Sequence, residues 1–455
     1  MDAFMLRSFL QKYISASVLL IIATVLALIV ANTPDLKELY KQLWELPVAL
    51  SVGGFNLFSH NGHTMTLGAF INDFLMAIFF LSVGLEIKRE LLCGELSSVK
   101  KALLPVIGAC GGMLVPVIVF FLICVGDPLM ERGMAIPMAT DIAFSLGVLS
   151  VFSKRVPIGL KIFLAALAVA DDLGGIIVIA IKYTSHLNMD AVLGAALCII
   201  VLGVGNWRQV RSKMFYTMTG LALWYFVLNT GIHATIAGVV LAFCVPANLT
   251  QSSTYWIEKI RTNVEKFPHI HVTKADINKP NMLSSGDIAV LKRIESASDR
   301  LISPLQDMED SLKNPIDFFI IPLFAFANAG VDMSGMSVEN LFSGVGLGVM
   351  LGLLVGKFCG VFSFSWVAIK LHIVEMPERA NWLSFASVAM LCGIGFTVSM
   401  FMAGLSFPID LEGQDPAHMQ ELLNDAKLGI LCGTVLSALV GCLMLHFTLP
   451  KHSEA

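Results

Sequence analysis

The chain has 455 residues, of which 56% are hydrophobic and only 14% charged, with a formal net charge of -4. Soluble domains carry roughly 25% charged residues, so this composition excludes an ordinary soluble domain and points to a protein that crosses a membrane many times. The slightly acidic balance argues against a nucleic-acid partner. The nine cysteines fall almost entirely inside apolar runs without paired metal spacing, and read as small buried hydrophobes.

Stretches able to cross a ~30 Å hydrocarbon core recur about twelve times along residues 1–455, which read as a single integral membrane domain. They lie near 14–32, 70–87, 102–125, 134–152, 157–182, 189–206, 213–228, 230–246, 315–331, 341–370, 382–407 and 427–447. The first follows Arg7 and Lys12 and reads as a span, not a cleaved signal peptide, because no clear small-x-small site precedes Asn32-Thr33-Pro34. The next interval, 45–65, contains Pro47–Leu57, which reads as a short β-hairpin around Gly53-Gly54 or as an irregular loop. The interval 213–246 is either one long span or two short ones hinged near Asn229-Thr230-Gly231.

Basic residues fall on alternate loops: Arg7 and Lys12; Lys88, Arg89, Lys100 and Lys101; Lys154, Arg155 and Lys161; Arg208, Arg211 and Lys213. This pattern predicts that those loops and both termini are cytoplasmic. The opposite loops carry Asp127, Asp410, Glu412 and Asp415. The interval 248–314 reads as an inserted cytoplasmic loop, irregular around Pro268 and Pro280. Its second half carries a helical apolar stripe (Leu291, Ile294, Ser298, Leu301, Leu305, Met308, Leu312). That helix is expected to kink at Pro304 and to pack on the membrane surface or on neighbouring loops.

Few ionisable residues fall inside the spans: Asp73, Asp141, Asp171, Asp172, His233 and Lys357, with Glu86, Arg89 and Glu90 at one membrane edge. Each charge at the bilayer centre costs about 2.5–3.5 kcal/mol even on a lenient insertion scale, and Asp171-Asp172 places two in succession. Two spans are interrupted, one by Pro137 just before Thr140-Asp141, the other by Gly393 and Gly395. Irregular backbone at that depth is tolerated only inside protein or beside water. These breaks occupy comparable places in spans 3–5 and 10–12, which run in opposite orientations, the pattern of an inverted repeat with a midplane ion site. Open helix ends carry about half a charge each. Asp141 suits the positive ends; Lys357 suits the negative ends, or pairs with an aspartate.

Carboxylates are hard ligands for hard cations. Adjacent helical residues point about 100° apart, so Asp171 and Asp172 need oxygen from Thr140, Asp141 or opened backbone to complete a shell. Two nearby carboxylates also resist being ionised together, so the pair takes up either protons or a metal cation, which is sufficient for exchange. A sodium-coupled solute symporter would need a larger polar pocket than the sequence offers. An intramembrane aspartyl protease would need its aspartates on different spans. Gly352–Phe358 only faintly matches a phosphate loop, lacking Ser/Thr after Lys357.

The chain resembles the NhaA-type Na+/H+ antiporter family in an ordered set of strings: Ile71-Asn72-Asp73, Val83–Leu91, Ala139–Phe144, Asp171–Gly174, Gly231–Gly238, Pro322–Gly330, Gly356-Lys357 and Leu391–Thr397. The resemblance implies a secondary transporter, not an enzyme, with no cofactor beyond its transported ions. It would exchange two protons for one Na+ or Li+, electrogenically and under pH control, in the bacterial inner membrane. The implied fold is all-α, with about twelve transmembrane helices in an inverted repeat, spans 4 and 11 discontinuous and crossing, and a short periplasmic hairpin. Asp171 and Asp172 would carry the cation and protons. Thr140, Asp141, Gly393 and Gly395 would form the crossed assembly, and Lys357 would form a salt bridge with Asp171. Glu86, Arg89, Glu90 and His233 would shape the pH response, Asp73 would belong to a cytoplasmic funnel, and the 47–57 hairpin would mediate a homodimer. One departure is visible: Asp307–Pro315, just before the span containing Asn328, lacks the histidine found there in some family members.

Overall fold

The computed structural model describes residues 16–449 apart from 54, 61–62, 153–154, 183–186, 249–251, 266–284, 334–341, 343 and 410–412. The two termini, and the irregular segment around Pro268 and Pro280, lie outside the described residues. The described part is mostly helical. Helix α1 (Ala16–Asn32) ends at Thr33-Pro34, and α2 (Pro34–Glu45) turns away from it by 112°. Pro34 favours this start because the first position of a helix has no amide bond to lose. This amphipathic helix, whose own Tyr40 is buried, was not apparent from hydropathy alone.

Residues 47–66 form five short strands, β1 (Pro47–Val48), β2 (Ser51–Val52), β3 (Phe55–Asn56), β4 (Ser59–His60) and β5 (His63–Thr66). Strands β2 and β3 pair antiparallel across the expected Gly-Gly link, with Ser51 opposite Asn56. The expectation of one hairpin was too simple: β5 pairs with both β1 and β4, Pro47 opposing Thr66 and Ser59 opposing Thr64, in the order β1-β5-β4.

The long helices are α3 (Leu67–Cys93), α4 (Val99–Cys124), α6 (Ile158–Lys182), α7 (Met189–Trp207), α14 (Gly344–Lys370) and α17 (Pro416–Thr448), the last beginning well before the predicted 427. Between α4 and α6 lies a broken unit, the 3-10 segment Met130–Met138 followed by α5 (Ile142–Ser150), bent by 43°. A second broken unit, α15 (Trp382–Leu391) and α16 (Phe396–Ser406), is bent by 44°. Among the described residues six helices are long and apolar enough to span a membrane, or nine if each bent pair counts as one. The interval 213–246 resolves into two pieces, α8 (Lys213–Leu228) and α9 (Ile236–Cys244), separated by a turn in which Gly231 has φ of +89°.

Helices α10 (Ser253–Glu265) and α11 (Ser285–Leu301) pack on each other, with Trp256 and Ala297 buried and Lys259 and Arg300 over the Trp256 ring. The predicted stripe therefore splits. Leu291 and Ser298 are exposed, while Leu305 and Met308 are buried on a separate helix, α12 (Pro304–Pro315). Pro304 does not kink one helix but starts a new one, capped by Ser303, whose hydroxyl accepts the Gln306 N–H at 3.2 Å. A π turn (Ile316–Ile320) continues α12 into α13 (Ile321–Asn328).

The core around the site is glycine-dependent. Helices α4 and α14 approach so closely that a Cβ on Gly360 would fall on the backbone of Gly111, the kind of contact that small residues permit between membrane helices. Replacing Gly360 by Leu is expected to lower the thermal unfolding temperature in detergent markedly. Replacing Gly404, whose added Cβ would touch nothing within 4 Å, by Ala should leave it unchanged or slightly higher. Equal effects of the two changes would contradict this packing.

Candidate ion-binding site

Asp171 and Asp172 lie midway along α6 and are 1% and 4% exposed. The chain pulls Thr140 and Lys357 to them from two other elements. Asp171 Oδ2 accepts from Lys357 Nζ at 2.6 Å and from Thr140 Oγ1 at 2.7 Å. Lys357, itself fully buried, also donates to the carbonyl of Met138, the last residue of the 3-10 segment. The sequence left two roles open for Lys357, and the geometry has both: counter-charge to an aspartate and cap of a negative helix end.

Asp141 performs the complementary task. Its Oδ1 accepts the Phe144 N–H at 2.9 Å, capping α5. Its Oδ2 accepts from the Thr397 hydroxyl at 2.6 Å and the Thr397 N–H at 3.1 Å, at the start of α16. Both positive helix ends thus converge on one carboxylate. The breaks are joined directly as well, by the Asp141 N–H to the Ile394 carbonyl at 2.7 Å and by Thr140 Oγ1 within 3.0 Å of the Cys392 carbonyl. Gly393 and Gly395 allow this approach, since a Cβ on either would press on the backbone of Leu353 or of Ala139. Thr397 and the Met138 carbonyl had no role in the sequence reading. The position of Thr397, right after Gly395-Phe396 at a helix start, was the available clue.

Two oxygens are conspicuous. Asp171 Oδ1 and Asp172 Oδ1 are buried without a hydrogen-bond partner among the described residues. A buried acceptor left unsatisfied is costly, and an acceptor-only carboxylate oxygen is completed by a proton or a cation. Among the described residues there is no cluster of three or more His, Cys, Asp or Glu side chains that could hold a metal. The donors here are hard oxygens, from carboxylate, hydroxyl and broken-helix carbonyl, which suit a small hard cation and not a soft metal.

The remaining predicted residues make their ion pairs elsewhere. Glu86, Arg89 and Glu90 lie at the far end of α3. Arg89 pairs with Glu90 at 3.2 Å and lies 4.0 Å from Glu86. Its shortest ion pair, at 2.6 Å, is with Glu309 of α12, which the sequence reading did not single out. Burial pushes the Glu309 carboxyl above its ordinary range, with Arg89 opposing the shift. Asp73 lies thirteen residues before Glu86, about 20 Å away along the helix at 1.5 Å per residue, at the end that carries the β-strands. It faces His233 Nε2 at 3.6 Å, while His233 Nδ1 lies 2.9 Å from Thr235 Oγ1.

The model of the Na+/H+ antiporter 1 family matches residues 7–445. A protein of Bacteroides fragilis described as Na(+)/H(+) antiporter NhaA is 48% identical over 446 residues, covering 98% of each chain. The so-named protein of Phocaeicola vulgatus is 48% identical over 96% of this chain and 95% of its own. That of Porphyromonas gingivalis is 43% identical over 96% of this chain and 94% of its own.

Removing one partner of a buried ion pair typically costs about 3–5 kcal/mol. Lys357→Met is therefore expected to lower the unfolding temperature in detergent, and adding Asp171→Asn to restore part of the loss. An unchanged unfolding temperature for Lys357→Met would contradict the pairing. For Glu309, the folded state keeps its proton to higher pH than the unfolded state, so this residue subtracts stability as pH rises from its ordinary 4.5. Glu309→Gln should remove that part of the slope. Parallel stability profiles for the two proteins would overturn the assignment.

Proposed function

The chain belongs to the Na+/H+ antiporter 1 family, and from that premise we propose that it exports Na+ or Li+ in exchange for protons bound at Asp171 and Asp172. The single observation that carries this reading is the pair of buried, unpartnered carboxylate oxygens on adjacent residues of one helix. Protons and a hard cation satisfy the same oxygens, so binding of one displaces the other. Thr140 and the carbonyls opened at the breaks supply further oxygen. Lys357 keeps Asp171 from being an isolated buried charge when the site is empty of cargo.

Charge also bears on the stoichiometry. With Lys357 protonated and both aspartates ionised, a bound Na+ makes the trio neutral, whereas two bound protons leave it with one positive charge. Exchange of two protons for one Na+ therefore moves net charge, and a membrane potential can drive it. The two broken units form an assembly of crossing helices, within a fold of about twelve spans related by an inverted repeat. Alternating basic loops orient the chain with both termini in the cytoplasm of a bacterial inner membrane. The Glu86–Arg89–Glu90–Glu309 cluster at the cytoplasmic edge tunes activity with pH, with His233 contributing from the opposite side. The inserted 248–314 segment, whose end carries Glu309, is part of the cytoplasmic face. The strands at 47–57 offer a contact for a second copy, making the transporter a homodimer.

The test uses everted or reconstituted vesicles loaded with an interior pH dye. Adding Na+ or Li+ on the cytoplasmic face should release protons from an acidified lumen. Asp171→Asn and Asp172→Asn should each abolish the response while the protein stays folded. Full exchange in both variants would remove the site assignment, and no response in the wild type would remove the antiport reading.

A further inference from the structure

Helix α6 is held to the first broken unit at a second place, remote from the carboxylates. Lys182, the last residue of α6, donates to the Arg132 carbonyl at 2.9 Å and lies 3.4 Å from the Glu131 carbonyl. Arg132 in turn donates from Nε to the Ser406 carbonyl at 3.1 Å, the final residue of α16. Three elements, α6 and both broken units, are therefore fastened at one end by two cations acting on backbone carbonyls. Ten residues separate Lys182 from Asp172, about 15 Å along the helix.

Beneath this fastening the segment 130–138 and α16 seal against each other. A Cβ on Gly133 would meet the Cζ atoms of Phe120 and Phe407 at 2.9 Å, and both rings are fully buried. Deeper still, the Ser399 hydroxyl donates to the Ile136 carbonyl at 2.8 Å, and Asp141 meets Thr397. These contacts tie the two broken units to each other along their length. Helix α6 is held against the first unit by the bonds of Lys182 at one end and by those of Thr140 and Lys357 near Asp171.

We propose that Lys182 and Arg132 are positioning residues that latch the pathway shut on the face opposite the basic loops. This inference rests on the antiport reading, in which the carboxylates must reach each side in turn. The contacts at Asp171 change with the cargo, since protons and a cation satisfy its oxygens differently. The contacts at Lys182 involve no cargo, so they set the resting bias. Opening outward separates the end of α6 from segment 130–138, and the ammonium must then leave the carbonyls of 131 and 132. Charge-assisted bonds to a carbonyl are stronger than neutral ones, so the latch favours the closed outer face without blocking motion.

The experiment places a single probe beneath the latch in the full chain. Ile136→Cys lies in a fully buried position. Its labelling by a membrane-impermeant maleimide is followed from the outer face of right-side-out vesicles, with the protein retaining Ile136 as the background control. Adding Lys182→Met or Arg132→Met should speed labelling about tenfold, the effect of losing roughly one charge-assisted hydrogen bond. Lys182→Arg, which keeps a cationic donor, should leave the rate near that of the parent. A repeat with Ile176→Cys on α6 guards against a probe that disturbs folding. Unchanged labelling in both latch variants, or acceleration by Lys182→Arg equal to that of Lys182→Met, would overturn the latch. Proton release by Na+ in the parent distinguishes the cases: its loss removes the antiport reading, whereas intact exchange with unchanged labelling removes the latch alone.

Discussion

A helix interrupted at the centre of a membrane leaves amides and carbonyls with no water to satisfy them, and each such group costs several kcal/mol. This chain interrupts two helices and sets the breaks against each other. Asp141 takes the amide ends of α5 and α16, and Lys357 takes the carbonyl end at Met138. Everything at the site depends on that exchange of charges. Because Asp141 is engaged by Thr397 and Phe144, it is committed to holding the breaks together. Asp171 retains one oxygen, and Asp172 at least one, with no hydrogen-bond partner among the described residues. The same constraint that makes the fold expensive thus sorts three buried aspartates into one that is structural and two that are available.

The packing that permits this is unusually close. Glycines at 111, 360, 393 and 395 bring backbone to within contact of backbone, so Lys357 reaches both Asp171 and Met138 from α14. At one end of the helical assembly, Arg89 gathers Glu90 and Glu309 from α3 and α12. At the other, Lys182 and Arg132 gather the ends of α6 and of the broken units. The carboxylate pair lies between two polar fastenings, which is the arrangement a carrier with two alternately closed faces requires.

Much of this was legible in the sequence because membrane burial makes charge conspicuous. Asp171-Asp172, Asp141 and Lys357 stood out as costly residues in apolar runs, and Pro137, Gly393 and Gly395 marked the breaks. What sequence could not supply was partner choice. Lys357 had two chemically sensible roles and turned out to fill both, and Thr397 looked like any hydroxyl in a span. Glu309 sits on an amphipathic helix whose acidic face reads as ordinary solvated surface. Hydropathy also passed over α2, whose polar residues hide a helix started by Pro34, and merged α11 with α12, because a stripe of apolar positions persists across the cap at Ser303. Asp73 stood out as a charge in an apolar run, but its pairing with His233 was not legible.

The central claim is that Na+ and protons compete for one pair of carboxylates. Direct Na+ binding to the purified protein, measured by calorimetry across a series of pH values, tests it without requiring transport. The account predicts that apparent affinity weakens progressively as pH falls, that binding releases protons into weakly buffered solution, and that Asp172→Asn sharply reduces that release. Na+ affinity independent of pH, with no proton released on binding, would contradict it.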